Sequence, residues 1–280
     1  MNAIADAVVH FIIEFSLRYG TALSIIACGI ALETVSTREQ QDPWSRLRGA
    51  LFWALYILGT VIAVLIVGSI VNWFGLRPLL SLDLRPLANS KSLFAAAAGF
   101  AVVPIIPVLA ADFLYYWFHR LQHAVPFLWR FHQIHHAIEE LNAANSAHHL
   151  SEEIFKIPFI VIPLVLLVEI KVTEIPVVAG LVAAWATLVH ANTAITLGPL
   201  NYIVAWPQYH RVHHSRDERH HNKNFASVFS FWDALFGTAY WPCNDEVIKT
   251  GVADVREPKT LGEHFFARAL RSVRDNRDLD

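Results

Sequence analysis

Thirteen of the fifteen histidines in this 280-residue chain fall between Asp112 and Trp241, and most of them stand at helical spacing. His119 and His123 are four residues apart. His132, His135 and His136 form a His-x-x-His-His triplet, and His210, His213 and His214 form a second one. Residues three and four apart on a helix share a face, with Cβ atoms roughly 5–6 Å apart. Each group can therefore aim its rings in one direction, and three such groups can converge on one imidazole-rich cage. Neutral imidazole binds iron, zinc, copper and nickel well, whereas calcium and magnesium prefer oxygen ligands. A lone histidine reads as an ordinary core or surface residue, but two triplets and a pair read as a metal site.

The rest of the chain points to lipid. Hydrophobic residues make up 55% of it and charged residues only 16%, against about 25% charged in ordinary soluble domains. Ala50 to Phe74 runs for 25 residues without a charge, long enough to cross a bilayer. Val8 to Leu32 reads as another spanning helix, with Glu14 and Arg18 one turn apart, and Glu33 to Arg48 as a polar loop. Gly75 to Ser92 reads as a loop or shallow interfacial segment. Leu93 to Phe118 is a further span, kinked or divided at Pro104 and Pro107, that leads directly into His119. Ile157 to Val168 and Ile175 to Val189 are short for a full crossing and read as a helical hairpin. The expected architecture is all-α: an integral membrane bundle of about four to five hydrophobic helices with a cytoplasmic histidine-rich helical cap. The expected units are 1–92 (transmembrane helices and loops), 93–245 (catalytic domain) and 246–280 (polar tail).

Several classes are excluded or disfavoured. Cys28 and Cys243 offer neither a disulfide framework nor a Cys-x-x-Cys site. The net charge of −2 with scattered basic residues gives nucleic-acid binding no support. The first six residues lack the positive region of a cleavable signal. Half of all Lys and Arg, 11 of 22, follow Leu200, which places this tail and the histidine clusters on the cytoplasmic side. In a bacterium that means the inner membrane.

Eight histidines at helical ligand spacing are twice what one four-coordinate metal needs, so two metals are the economical reading. The paired Glu-x-x-His motifs of carboxylate-bridged di-iron bundles are not present, since Glu218 to His221 alone has that spacing. Asp112 lies about two turns before His119 and reads as a carboxylate that orients a ligand imidazole. Asn192 and Asp233 are similar candidates. Zinc is a possible substitute ion, and a zinc-dependent membrane lipid hydrolase and a histidine-rich metal transporter are the alternative functions. A transporter should place its ligands near mid-membrane, whereas these fall at span ends.

Asp112 to His123, His132-x-x-His135-His136 and Trp206-Pro207-x-x-His210-Arg211-Val212-His213-His214 resemble the fatty acid hydroxylase/sterol desaturase superfamily. The resemblance continues through Asn224-Phe225-Ala226 and Phe231-Trp232-Asp233-Ala234-Leu235-Phe236-Gly237-Thr238. Leu188-Val189-His190-Ala191-Asn192 with Leu197-Gly198-Pro199-Leu200 is most similar to the alkylglycerol monooxygenase and bacterial sterol desaturase-like branch. The resemblance implies two iron ions that use O2 as co-substrate to hydroxylate or desaturate an unactivated C–H bond of a lipid. It implies His119, His123, His132, His135, His136, His149, His190, His210, His213 and His214 as metal ligands. Glu152 matches an acidic position after His149 and is a candidate catalytic residue with Asp112 and Asn192. Leu150 replaces the family's proline there, which leaves His148 as an alternative to His149. His220 and His221 read as surface residues or supports of the ligands. No Gly-x-Gly-x-x-Gly dinucleotide fingerprint and no cysteine framework for an iron–sulfur cluster is visible, so a separate reductase, ferredoxin or cytochrome is implied as electron donor. Sterol, ether-lipid, ornithine-lipid, sphingolipid and carotenoid substrates remain open.

Overall fold

The computed structural model describes residues 24–83, 105–171, 185–243 and 246–265, with isolated positions 20, 86, 92 and 94. Among them helix is the dominant regular structure. Helix α1 covers Ser24–Val35, and α2 covers Pro43–Trp73. Then come α3 (Ile105–Ala124) and α4 (Pro126–His136). The next stretch is α5 (Ser151–Lys156), a π-helical turn (Ile157–Val161) and α6 (Ile162–Leu167). A 3₁₀ turn at Gly198–Tyr202 precedes α7 (Pro207–His213), α8 (Phe231–Leu235) and α9 (Leu261–Phe265).

Three of these helices start at a fixed residue for the same reason. Each of α2, α4 and α7 has proline at its first turn, preceded by an extended residue: Asp42, Val125 and Trp206 respectively. Proline lacks an N–H that the first turn would leave unpaired anyway, and it holds its predecessor extended. Asp42 adds a side-chain cap by accepting from the Trp44 N–H at 3.0 Å. At the far end of α2, Gly75 takes the left-handed conformation (φ 59°) that stops the helix.

Helix α2 extends the expected apolar run toward the N-terminus, so Arg46 and Arg48 belong to a helix and the polar loop shortens to 36–42. At about 46 Å for its 31 residues it exceeds the roughly 30 Å of a hydrocarbon core. Its exposed side is apolar throughout: Leu47, Leu51, Leu55, Leu58, Ile62 and Ile66 follow one another at helical spacing. Among the described residues it is the one helix long and apolar enough to cross a membrane, so the structure does not establish a bundle of four to five spans. Most of the expected 8–32 span, including Glu14 and Arg18, lies outside the described residues, as do 95–104 of the expected 93–118 span and the second arm of the hairpin up to residue 184.

The first arm of that hairpin departs from the expected helix. Pro158 and Pro163 interrupt it, part of it is π-helical, and it ends in a strand, Val168–Lys171 (β2), that pairs in parallel with Leu80–Asp83 (β1). Proline removes a helical N–H and clashes with the preceding turn, so an unbroken α-helix through this run is not available. The β-branched run from 168 then favours extended structure.

Helix α2 packs against the 143–153 segment. Gly49 lies directly on the Ala144 carbonyl, so any Cβ there would strike backbone. Phe52 stacks in a small core with Ala147 and Phe265, flanked by Trp53 and Leu150. One carboxylate ties these parts together. Glu33, at the end of α1, is fully buried. One of its oxygens accepts from the backbone N–H groups of Ala143 (2.8 Å) and Asn192 (2.9 Å), and the other takes both Arg46 donors at 2.9 and 3.1 Å. Replacing Glu33 with alanine would leave two buried N–H groups and a guanidinium without partners. That should cost about 3–5 kcal/mol, seen as a clear fall in the thermal unfolding midpoint in detergent; an unchanged midpoint would show that the carboxylate does not hold the fold.

Candidate metal centre

The histidines converge, and they do so as two adjoining clusters. The first contains His119, His123, His132, His136 and His213; the second contains His135, His190, His210 and His214. Within each cluster the nearest ring nitrogens lie within 4.8 Å of one another. Helical phase explains the division. The pairs 119/123, 132/136 and 210/214 are each one turn apart and stay together. His135 and His213 each sit one residue away from a neighbour in the other cluster and turn their rings across. Helix α4 thus supplies both clusters, as does the α7 triplet.

The ring nitrogens are aimed as ligands rather than as hydrogen-bonding partners. The Nδ1 of His119 lies 2.7 Å from the Phe225 carbonyl oxygen, and that of His213 lies 2.8 Å from the Lys223 carbonyl oxygen. A carbonyl oxygen only accepts, so each Nδ1 carries the proton and each Nε2 presents a bare lone pair. The His132 Nδ1 points at the Glu152 carboxylate at 3.3 Å, with the same result. Yet the Nε2 atoms of His119 and His132, and of His119 and His213, stand 2.9 Å apart. The His136 Nε2 lies 3.1 Å from that of His132 and 3.2 Å from that of His123. Around His119 no proton is available between the bare lone pairs of His119, His132 and His213, and a cation placed there satisfies all three. In the second cluster His190 donates Nδ1–H to the Ala186 carbonyl at 2.7 Å, and its Nε2 faces those of His210 (3.0 Å) and His135 (3.3 Å). Both nitrogens of His214 are buried without a hydrogen-bond partner. Among native structures such orphans call for an explanation such as an ion.

Burial keeps the rings neutral. It drives the pKa of His135, His136, His210, His213 and His214 well below the ordinary imidazole value, and neighbouring imidazoles reinforce the effect. His190 falls to about 3 for the same reason. At pH 7 every one of these groups is therefore a neutral ligand.

Glu152 supports the first cluster from behind. It is fully buried and accepts from Gln122 Nε2 at 2.7 Å and from His148 Nδ1 at 3.1 Å, besides His132. Burial alone would raise its pKa, but His148 and His132 outweigh burial and hold the carboxyl well below its usual range. His148 in turn stacks on His135 at 3.7 Å between ring centroids. His149 does not join. Its Nε2 meets the Phe265 carbonyl at 2.9 Å and its Nδ1 the Ser151 hydroxyl at 2.7 Å, which turns the ring away from both clusters. His132, His148 and Glu152 instead make a third group. His220 lies apart as well, bonded to Ser215 Oγ at 2.8 Å, and His221 is exposed.

The remaining expected residues hold backbone rather than imidazole. The two Asp112 oxygens accept from the Val228 and Phe229 N–H groups, each at 2.9 Å, so it does not orient a ring directly. Asp233 accepts from the Phe225 and Ala226 N–H groups at 2.8 Å, from Thr238 Oγ1 at 2.7 Å and from Tyr209 OH at 3.0 Å. Asn224 bonds the Tyr209 and Tyr240 backbone at 2.7–2.9 Å. Residues 223–229 are thus slung between three polar side chains, and this segment carries the carbonyls that set the tautomers of His119 and His213. Asn192 does the same for the turn after His190, exchanging hydrogen bonds with the Glu39 backbone at 2.6 and 3.1 Å. Two residues that the motif reading did not single out complete this layer: Glu39, and Arg211, which is fully buried and pairs with Glu39 at 2.8 Å. A charged residue inside a histidine triplet, too close to the ligands to be solvated, was the available signal.

Fold and site together define a helical protein whose buried imidazole clusters fit metal ions. Residues 104–238, just under half of the chain, match the family model described as fatty acid hydroxylase. The chain is similar to alkylglycerol monooxygenase of Homo sapiens (35% identity over 46% of this chain and 29% of that protein). It is likewise similar to alkylglycerol monooxygenase of Danio rerio (35%, 50% and 31%). Ornithine lipid hydroxylase OlsE of Rhizobium tropici is 34% identical over 49% of this chain and 42% of its own length. The chain therefore spans less than half the length of these relatives. No solved structure matches it.

Replacing His190 with alanine should lower the metal retained per chain after dialysis, because it removes one of four rings from the second cluster, whereas His149→Ala should retain the parent content. Elemental analysis of the purified proteins checks both. Equal losses in the two variants would return His149 to the ligand set.

Proposed function

We propose that this protein is a membrane-bound di-iron oxygenase that uses O2 and externally supplied electrons to hydroxylate, or desaturate, a C–H bond of a lipid. The observation that carries this reading is the pair of adjoining, water-poor clusters whose Nε2 lone pairs face one another. Nine imidazoles are more than one ion can use, and division into five and four gives each of two ions a set of its own. His119, His123, His132, His136 and His213 would hold one ion, and His135, His190, His210 and His214 the other. Imidazole suits iron as well as zinc or copper. The similarity to alkylglycerol monooxygenase and ornithine lipid hydroxylase favours a redox metal acting on a lipid. When bound, iron supplies the O2-dependent oxidising power that breaking an unactivated C–H bond demands.

The chain's own residues contribute tautomer control, charge and exclusion of water. The Phe225, Lys223 and Ala186 carbonyls fix the protonated nitrogen of three rings. Glu152 is the buried anion nearest the clusters and offsets part of the cationic charge that they would hold. Asp112, Asp233 and Asn192 are positioning residues. Tyr115, 5.3 Å from His119 between ring centroids, and Phe118, stacked on Phe159 at 5.6 Å, close the α3 side against water. The exposed apolar side of α2 fits a bilayer, and the weight of Lys and Arg after Leu200 fits a cytoplasmic site at a bacterial inner membrane. The catalytic unit is assigned to 93–245. With two cysteines and no dinucleotide fingerprint in the chain, electrons come from a separate reductase, ferredoxin or cytochrome.

Lipid profiles of cells with and without the protein test the reading. A lipid mass change of one added oxygen, or of two lost hydrogens, should appear only with O2 and with the parent sequence. His135→Ala should abolish it, and protein produced under anaerobic conditions should contain two iron ions per chain. A zinc-only protein with an O2-independent product would establish the hydrolase alternative.

A further inference from the structure

Charge is missing from two long stretches of the C-terminal half. Ile175 to His210 holds no Lys, Arg, Asp or Glu over 36 residues. Asn224 to Asn244 holds one, Asp233, whose buried carboxylate is fully engaged. A water-facing surface of this extent would carry about a quarter charged residues.

The exposed parts of the two stretches meet. Leu200, Tyr202 and Ile203, on and just after the 3₁₀ turn, are 55%, 59% and 51% exposed, and Leu235 on α8 is 67% exposed. Ser230 Oγ donates to the Asn201 carbonyl at 2.7 Å, which joins the 3₁₀ turn to the start of α8. Phe236, next to Leu235, packs on Trp117 of α3 at 4.9 Å, and Trp117 is itself 42% exposed. Tyr202 abuts Trp241 at 4.7 Å. The apolar surface is therefore continuous from α3 across α8 to the 3₁₀ turn. Ion pairs lie elsewhere on the surface: Arg216–Glu139 and Arg219–Asp217 mark the segment that follows α7.

We propose that the 3₁₀ turn and α8 form a membrane-contact platform, lying in the interfacial layer of the bilayer beside α3. Three observations favour lipid over a protein partner or a second copy. The patch continues α3, which opens in a stretch, Leu93 to Ala111, that carries no charged residue over 19 positions. Its exposed residues mix aliphatic side chains with Tyr and Trp, the composition of an interfacial belt. The charged residue that flanks it is basic: the Arg120 guanidinium lies 5.4 Å from the Trp117 ring centre, as cationic side chains do at the edge of a bilayer. An apolar patch of this kind marks a contact site rather than a solvated face.

The platform has a consequence for the metal centre that does not depend on which ion or reaction is involved. Its inner side is the 223–229 segment, whose carbonyls hold His119 and His213. The first imidazole cluster then lies directly behind the segment that backs the platform.

Depth-resolved quenching on the full-length chain in phosphatidylcholine vesicles tests the proposal. Cys28 and Cys243, both exposed, are first replaced by serine. Single cysteines introduced as Tyr202→Cys, Leu235→Cys, Ile203→Cys and Arg219→Cys then carry an environment-sensitive dye. The first three should be quenched at least about twofold more by nitroxide-labelled lipid than by aqueous iodide, as expected of interfacial residues, and Arg219→Cys should show the reverse. If the three patch labels follow Arg219→Cys, the patch faces water and the proposal fails. If they are shielded from both quenchers, protein covers the patch and the proposal fails equally. Three independent patch positions keep the test intact should one substitution prevent folding.

Discussion

Bare nitrogen lone pairs repel, and the histidine-rich half of this protein is arranged so that they must face each other at about hydrogen-bonding distance. Everything around them removes the usual escapes. Carbonyls and a carboxylate hold the single ring proton on the far nitrogen, burial disfavours a second proton, and packing prevents the rings from turning outward. What relieves the repulsion is positive charge placed between them. Coupling of metal binding to folding follows directly, because the free energy gained by the ion is gained only in the folded arrangement.

The carboxylates divide this labour in a way their sequence positions do not advertise. Of the buried carboxylates Glu33, Asp112, Glu152 and Asp233, Glu152 is the one that touches ring nitrogens of the clusters. Glu33, Asp112 and Asp233 spend their oxygens on backbone N–H groups, each bracing a segment that has no regular secondary structure of its own. A loop carrying catalytic geometry has few backbone hydrogen bonds to keep it in place. A buried carboxylate that accepts two or more of its N–H groups replaces the missing ladder, and charge-assisted bonds of this type are among the stronger ones available.

The ligand rings were the most legible part of the sequence, because helical phase is a local property: 119 with 123, 132 with 136 and 210 with 214 need nothing but a turn of helix. The partition into two clusters was only half legible, since it depends on how α4 and the α7 triplet face each other. The 148–149 dipeptide defeated sequence reasoning for a related reason. Both side chains are histidine, they sit at the mouth of a short helix, and only the docking of Phe265 decides which one turns inward. The braces were the least legible, as Glu33 contacts residues 110 and 159 positions away. The strand Val168–Lys171 was hidden because its apolar–charged alternation lasts only four residues after a continuous apolar run.

The prolines at the start of α2, α4 and α7 set the angular origin of everything downstream. An α-helix turns by about 100° per residue, so a helix free to begin one residue earlier or later would rotate an entire triplet out of its cluster. Beginning α4 at Pro126 and α7 at Pro207 removes that freedom. The aim of six imidazoles is thus decided by where two rigid rings start their helices.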